Sequence, residues 1–340
     1  MKIKKSETPL TKVSRTKIIE GKSIPAFIHN QNYFYVDLDI YEDGIIWCWD
    51  STDLDLFKQK LQTSWVKTSI PNGKSISIHG LGSWEIDNGN WLFDKDGFYE
   101  YVLEIIKAMN PQMQNLYQVF EKKINGVTIG EYSAGNVYRE NKRFEHDIFP
   151  EKIKGDGFHL FYKNNDEYFL VRLSVFADEK IEINNLSENI ELDLKSVKEL
   201  VENEFLLTEI PQNAEVKIVG LGSFTAVKTN YVTSVEDKVF EIQDLIETLN
   251  NRLTSIEICS SIYDAYLQNP TLELKEKIKI AYENIPKHQR RYVGDMDVKD
   301  TAVRMIIYGE KEIENWSHYA AAKSLGEELP TITVPKPKDE

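Results

Sequence analysis

The stretch Ile70–Glu85, which reads I-P-N-G-K-S-I-S-I-H-G-L-G-S-W-E, recurs at Ile210–Thr225 as I-P-Q-N-A-E-V-K-I-V-G-L-G-S-F-T. The spacing of 140 positions between them holds without a gap from Asp53 to Asn110, and with a smaller offset the similarity extends back to Ile19. Two segments this similar predict two copies of one folded module. The copies also allow a comparison, because positions that stay alike indicate packing, whereas positions that change in chemistry are available for function.

Each copy has the pattern of an α+β module of about 100 residues. Alternating apolar and polar residues predict strands near 24–29, 33–41 and 45–49 in the first copy. Two helices follow, one capped by Asp53 and one beginning near Asp96. We therefore predict two tandem copies of a strand meander with two helices, followed by a helical C-terminal segment. The predicted organisation is a basic arm at 1–16, a first repeat at 17–125, a linker at 126–150, a second repeat at 151–268, and a C-terminal segment with an extended tail at 269–340.

The composition argues against several classes of protein. A formal net charge of −14 opposes binding to nucleic acid, because such binding depends on clustered Lys and Arg that neutralise phosphates. Two cysteines are too few for a disulfide framework or a thiolate zinc site. The sequence has no apolar run long enough to cross a bilayer and no secretory signal at its start. We therefore predict a cytoplasmic protein that binds neither nucleic acid nor membranes and uses no cofactor.

The repeated G-L-G-S sequence, with Gly80 and Gly82 in the first copy, invites comparison with the glycine loops that bind phosphate. Those loops open a helix, whereas a short strand is predicted after Gly82. The third glycine of a dinucleotide fingerprint is also absent. We therefore interpret G-L-G-S as a tight bend between two strands.

The C-terminal segment contains three carboxylates within six residues, at Asp295, Asp297 and Asp300. Carboxylate oxygens suit a hard cation, but an EF-hand requires a glycine where Asp300 stands. The other interpretation is that Asp300 caps the helix that follows and that the remaining carboxylates pair with nearby arginines. None of the six histidines has the spacing of a metal-ligand pair. The closest approach to a catalytic pair is His146 with Asp147, for which no nucleophile is evident.

Two parts of the C-terminal segment, G-D-M-D-V-K-D at 294–300 and E-I-E-N-W-S-H-Y at 312–319, resemble bacterial proteins of unassigned function. The resemblance implies a bacterial, cytoplasmic origin. It implies no activity.

The two copies differ on the outward side of the first copy's predicted hairpin. Strand alternation places Ile45, Trp47 and Trp49 outward, and the hairpin turn sets Tyr41, Asp39 and Asp37 opposite them on the same side. We call Trp47, Trp49, Asp37, Asp39 and Tyr41 the hairpin face. The second copy has Glu182 and Asn184 at the tryptophan positions, and we expect these polar side chains to face solvent. Two interpretations remain open: the face is covered by another part of the chain, or it is a binding site for a cationic group.

Two functions are compatible with these features. The first is a non-enzymatic protein-binding module that engages a basic protein through the hairpin face and neutralises or scaffolds it. The second is a metal-dependent hydrolase or phosphotransfer enzyme that uses Asp295, Asp297 and Asp300, with His288 or His318 nearby. The sequence shows no recognisable catalytic set, so the choice between an enzyme and a binding protein stays open, as does the oligomeric state.

Overall fold

The computed structural model describes residues 18–125, 127–132, 138–139, 153–295 and 297–338. The described residues divide into two compact units. Unit 1 comprises the described parts of 1–30, 36–69 and 93–143, and unit 2 comprises those of 31–35, 70–92 and 144–340. The second repeat therefore belongs to the same unit as the 70–92 hairpin of the first. The predicted basic arm at 1–16 lies outside the described residues.

Strands and helices follow the same order in both repeats. The first repeat and the segment after it contain β1 (Ile18–Ile19), β2 (Gly21–Asn30), β3 (Asn32–Tyr41), β4 (Ile46–Trp47), β5 (Ser51–Thr52), α1 (Leu54–Gln62), β6 (Val66–Lys67), β7 (Ser75–Ile78), β8 (Gly82–Trp91), α2 (Lys95–Met109), β9 (Val119–Ile124), β10 (Val127–Tyr132) and β11 (Tyr138–Arg139). The second repeat contains β12 (Gly155–Asn164), β13 (Glu167–Phe176), β14 (Ile181–Asn184), β15 (Ile190–Leu192), α3 (Leu194–Glu202), β16 (Leu206–Leu207), β17 (Glu215–Ile218), β18 (Gly222–Val232) and α4 (Val235–Leu249).

The strand pairing confirms the duplication, because equivalent residues pair in both repeats. Tyr33 pairs with Ile76 where β3 meets β7 in parallel, and the equivalent Tyr168 pairs with Val216 where β13 meets β17. The antiparallel pairs β7–β8 and β17–β18 also have the same register. The structure is thus α+β, as predicted. At the end of the predicted first repeat, β9 forms an antiparallel hairpin with β10 of the predicted linker, and β11 of the linker pairs in parallel with β1.

The first helix of each repeat begins at the predicted aspartate. The Asp53 carboxylate accepts a hydrogen bond from the Leu56 backbone N–H at 2.8 Å, and Asp193 accepts one from Ser196 N–H at 2.7 Å. These bonds satisfy N–H groups that have no partner inside a helix. Phe57 on α1 is buried, so the apolar face of that helix packs inward.

The two glycines of each G-L-G-S bend have different structural roles. Gly80 and Gly220 have φ values of 67° and 82°, which favour glycine. At Gly82, an added Cβ would lie only 2.3 Å from the Tyr231 carbonyl oxygen, and Gly222 is similarly constrained by the first repeat. The motif is therefore the predicted bend between strands, and its second glycine also allows two strands to approach each other closely.

That close approach joins β8 of the first repeat to β18 of the second in an antiparallel pair within unit 2. Gly222 pairs with Trp91 at one end of the ladder, and Val232 pairs with Gly82 at the other. Near the middle, Ile86 pairs with Ala226, which is its own counterpart in the other repeat. The two strands therefore pair about a common centre.

The C-terminal helices form a buried cluster of their own. They are α5 (Ser255–Gln268), α6 (Leu272–Glu283), α7 (Thr301–Tyr308) and α8 (Ser317–Leu325), with 3-10 helices at Arg290–Tyr292 and Glu310–Asn315. Their core contains Tyr266, Ile278, Tyr282 and Ile306, and Cys259 is buried with them. The sequence prediction placed residues 255–268 in the second repeat, but α5 packs with the C-terminal helices. Two buried α5 residues help to give this small segment a core.

Candidate functional site

Both tryptophans of the hairpin face are about half exposed, at 46% for Trp47 and 47% for Trp49. Trp47 pairs with Asp39 as predicted, and the Tyr41 N–H donates to the Ile45 carbonyl at 2.9 Å. The predicted strand at 45–49 is shorter, however, because the β3–β4 ladder ends at Trp47, and the predicted pairing of Trp49 with Asp37 is not part of that ladder. Ile45, which strand alternation placed outward, is buried.

Trp49 is exposed because the chain turns at that residue. Its φ of 71° is left-handed, and the Cys48 N–H donates to the Asp50 carbonyl across the turn at 3.0 Å. The Trp49 ring meets Trp65 edge to face, with the centroids 6.1 Å apart. Lys60 lies over the Trp65 ring and forms an ion pair with Asp50. Trp49 is thus supported by a neighbouring ring and remains about half open to solvent.

The carboxylates of the hairpin face are less exposed than its tryptophans. Asp37, Asp39 and Tyr41 are each partly buried on β3. The Ser23 hydroxyl donates to Asp39, which helps to fix the position of that carboxylate. Partly buried charges interact more strongly than fully solvated ones, because screening by water and salt is weaker.

The same side of β3 is covered at the other end of the strand. Tyr33 and Tyr35 are buried, and the Tyr35 ring meets His159 edge to face at 4.8 Å. The Asn185 side-chain amide donates to the Tyr35 hydroxyl at 3.4 Å. This end of β3 is therefore covered by other residues of the same chain.

Part of the equivalent side of the second repeat is buried, contrary to the expectation that its polar residues face solvent. Ser174 and Asn184 are almost inaccessible. The Ser174 hydroxyl donates to Asn184 Oδ1 at 2.5 Å, and Asn184 Nδ2 donates to Glu182 at 3.2 Å. Comparison of the two repeats did not predict this burial. Polar residues are typical of a solvated surface, but they also occur in the interior when their side chains hydrogen-bond to each other.

The three C-terminal aspartates do not converge. Asp300 is at the N-cap position of α7, but its carboxylate accepts from the Tyr282 hydroxyl at 2.5 Å and lies 3.4 Å from Arg304 Nε. Burial, and secondarily Asp300, raises the pKa of Tyr282, so this hydroxyl stays protonated. Asp295 instead accepts from the Asp297 backbone N–H at 2.9 Å. Within the described residues, no three His, Cys, Asp or Glu side chains are grouped to hold a metal ion. His146 and Asp147 lie outside those residues.

A buried ionic cluster lies in the second repeat, at the start of α4. Lys238 is 1% exposed, and its ammonium lies 2.7 Å from a Glu241 carboxylate oxygen and 4.2 Å from the centroid of the Phe158 ring. His288 Nε2 is 3.7 Å from the same Glu241 oxygen. Burial lowers the pKa of Lys238, and Glu241 acts in the opposite direction. An unpaired buried charge costs free energy, so pairing with the Glu241 carboxylate is what allows the Lys238 ammonium to be buried.

The same cluster attaches α4 to the C-terminal helices. The Asp237 carboxylate accepts from the Lys287 backbone N–H at 3.0 Å, next to His288 in the chain. Further along α4, Asp244 accepts from the Ser255 backbone N–H at 2.8 Å. His288 Nδ1 is buried and has no hydrogen-bond partner among the described residues. Acidic side chains of α4 therefore bind the start of α5 and the loop after α6.

The family of the chain follows from two matches to one profile. A profile described as a domain of unknown function, DUF7638, matches residues 9–113 and again 143–253. The chain belongs to the DUF7638 family. A second profile, described as a domain of unknown function, DUF7639, matches residues 254–331 and includes all of α5. No curated protein and no solved structure matches the chain. The DUF7638 matches agree with the duplication seen in the strand register.

Sequence reasoning missed the ionic cluster, although comparison of the two DUF7638 repeats contained the signal. Lys238 and Glu241 stand 140 positions after Phe98 and Tyr101. The replacement of an aromatic core residue by a lysine is a change in chemistry between equivalent positions of the repeats. A change of the same kind identified the hairpin face. His288 belongs to the DUF7639 domain, so no comparison between the repeats could have included it.

No α-helix in the described parts of the chain combines the length and the apolar character needed to cross a bilayer.

Proposed function

We propose that this chain is a non-enzymatic, cytoplasmic binding protein that engages a basic protein partner through the hairpin face and thereby neutralises or scaffolds it. The observation that supports this proposal best is the exposure of Trp47 and Trp49, at 46% and 47%. Two half-exposed indoles, two positions apart in the chain, leave apolar surface in water, which is unfavourable unless a partner covers it.

Each part of the hairpin face has a role in this proposal. Trp47 and Trp49 offer ring faces that attract Lys or Arg through cation–π contacts and supply most of the buried area. Asp39 pairs with Trp47 in the ladder and, together with Asp37 on the same strand, adds negative charge that attracts a cation. Tyr41 adds a third ring with a polar tip, a residue type enriched at protein interfaces.

The charge of the whole chain favours the same partner. A net charge of −14 attracts a basic protein over distances comparable to the Debye length, which raises the association rate at low salt. Orientation and affinity then depend on the contacts at the hairpin face. We therefore expect added salt to lower the association rate, and removal of the tryptophans to raise the dissociation rate.

The test compares the chain with its Trp47→Glu/Trp49→Asn variant, which carries the residues of the second repeat. A 20-residue poly-lysine peptide is titrated into each protein by calorimetry, and affinity capture from the native host is run in parallel with both. We expect the variant to bind at least about tenfold more weakly and to lose its captured basic protein, as expected for loss of interface hot spots.

A matched control comes from the second repeat, where Glu182 stands at the Trp47 position. Glu182→Gln removes one negative charge without touching the hairpin face and is expected to leave the affinity almost unchanged. Equal binding by the wild-type chain and the double tryptophan variant would exclude the hairpin face as the binding site.

A further inference from the structure

The second repeat has an apolar groove between α3 and α4, with a cavity volume of about 620 Å³. Its apolar lining consists of Val201, Leu206, Leu207, Val235, Val239 and Phe240. Phe240 is 37% exposed, so part of this lining is open to water. Concave apolar surface of this size is typical of binding sites.

In the first repeat, the chain's own side chains fill the equivalent position. The Lys95 ammonium donates to the Gln62 backbone carbonyl at 3.0 Å and to the Ser64 hydroxyl at 2.9 Å. The Tyr99 ring lies on the same side of α2, and Lys58 Nζ is 4.9 Å from the ring centroid. Leu61 is fully buried there. A ring and an ammonium thus cover the apolar surface between α1 and α2.

The second repeat lacks both of these groups. Val235 and Val239 occupy the positions of the lysine and the tyrosine, and Val201, at the position of the buried leucine, is partly exposed. Glu204 takes the place of Ser64, which accepts the ammonium in the first repeat. The second groove therefore has the apolar floor without its cover, and it has a carboxylate where the cation would bind.

The charges around the groove indicate which kind of ligand would cover its apolar floor. Glu202, Glu204 and Glu236 line it, together with the single cation Lys198. We propose that the groove binds a peptide segment of a partner protein in which a lysine lies close to an aromatic side chain. The peptide lysine takes the place of the Lys95 ammonium, beside Glu204, and the aromatic ring takes the place of Tyr99 against the valines. This site shares no residue with the hairpin face.

The test uses the full chain with Trp47→Glu/Trp49→Asn as its background, so that the hairpin face does not contribute. The probe is a capped 12-residue peptide of alternating Lys and Tyr, labelled with fluorescein and followed by anisotropy. We expect saturable binding, with NMR shifts at the methyl groups of Val235 and Val239. Matched peptides with Glu for Lys, or Ser for Tyr, are expected to bind at least about tenfold more weakly.

Three exchanges between the repeats then locate the site. Val235→Lys/Val239→Tyr restores the cover of the first repeat and is expected to abolish binding. Glu202→Gln/Glu204→Ser leaves the apolar floor intact and is expected to weaken binding at least about tenfold. Conversely, Lys95→Val/Tyr99→Val/Ser64→Glu opens the first groove and is expected to raise the stoichiometry from one peptide to two. No saturable binding, binding unchanged by the first two exchanges, or equal binding of the Ser-for-Tyr peptide would overturn the proposal.

Discussion

The second helix of each repeat packs a different kind of side chain at the same place. In the first repeat, Phe98 lies 5.7 Å from Phe93, and Phe93 stacks on Tyr101 at 5.0 Å, measured between ring centroids. In the second repeat, Lys238 and Glu241 take the positions of Phe98 and Tyr101. One backbone thus supports an aromatic cluster in one copy and a buried ion pair in the other.

The comparison shows that the fold does not require a buried ion pair at this position, because the first repeat has aromatic side chains there. The first repeat fills the same place with aromatic residues, and well-packed apolar groups often stabilise a core at least as well as an ion pair, because charges lose hydration when they are buried. In the second repeat, the acidic side chains of α4 also connect this helix to the C-terminal helices. Its Glu241 and Asp237 also face the segment at Lys287 and His288, which belongs to the C-terminal helices.

The largest effect is expected when one member of the ion pair is removed. Glu241→Ala leaves the Lys238 ammonium buried without its carboxylate, so we expect a loss of about 3–5 kcal/mol in the free energy of unfolding. Urea denaturation followed by circular dichroism measures this loss. Glu236→Ala, an exposed change on the same helix, is the control and is expected to cost no more than about 0.5 kcal/mol. Similar values for both variants would contradict the buried-pair description.

Exchange of the whole pair is expected to cost much less. Lys238→Phe/Glu241→Tyr introduces the residues of the first repeat, and replacement of a buried ion pair by apolar groups is often neutral or stabilising by about 1–4 kcal/mol. We expect the free energy of unfolding to stay within about 1 kcal/mol of the wild-type value or to rise. A loss as large as that of Glu241→Ala would show that the two repeats do not offer equivalent space.

The pH dependence of stability tests the histidine in this cluster. Burial lowers the pKa of His288, and Glu241 partly opposes this effect. The folded state therefore binds this proton less readily than the unfolded state, in which the pKa is about 6.5. Linkage then predicts that stability falls as the pH decreases below about 6.5, by about 1.4 kcal/mol for each unit by which the pKa is lowered.

Thermal denaturation at a series of pH values between 5 and 8 measures this dependence. His288→Gln keeps a polar side chain that does not titrate, and it is expected to flatten the change near pH 6. A wild-type protein that is more stable at pH 5.5 than at pH 7.5, by an amount that His288→Gln removes, would contradict the predicted sign.

The smallest effect on stability is expected at the hairpin face. Trp47→Glu/Trp49→Asn also exchanges residues between the repeats, but both side chains are about half exposed. We expect the free energy of unfolding to change by no more than about 1 kcal/mol, as for ordinary surface substitutions. A loss of about 3 kcal/mol or more, typical of core truncations, would favour internal cover over binding.

The sequence was sufficient to predict features that depend on local pattern. The duplication, the Asp53 cap and the G-L-G-S bend follow from spacing, turn residues and capping residues. Such features are set by nearby residues, and the second copy supplied an independent check on each of them.

Features that depend on tertiary contacts were not predicted. Strand alternation placed Ile45 outward and extended the strand to Trp49, but a left-handed turn at Trp49 overrides the alternation. Burial of Ser174 with Asn184 depends on hydrogen bonds that composition does not reveal. The partnership of Glu241 with His288 joins residues from different domains, and neither residue indicates the other in sequence.

The pairing of β8 with β18 has a consequence for the origin of the chain. Strands that are copies of each other and meet about a common centre form the joint that a symmetric homodimer uses. A gene that encoded a single repeat would have produced a protein whose edge strand pairs with that of a second molecule. In such a homodimer every substitution appears on both sides of the joint. Fusion of two copies in one chain removes that constraint, so one half can carry an aromatic core where the other carries a buried lysine.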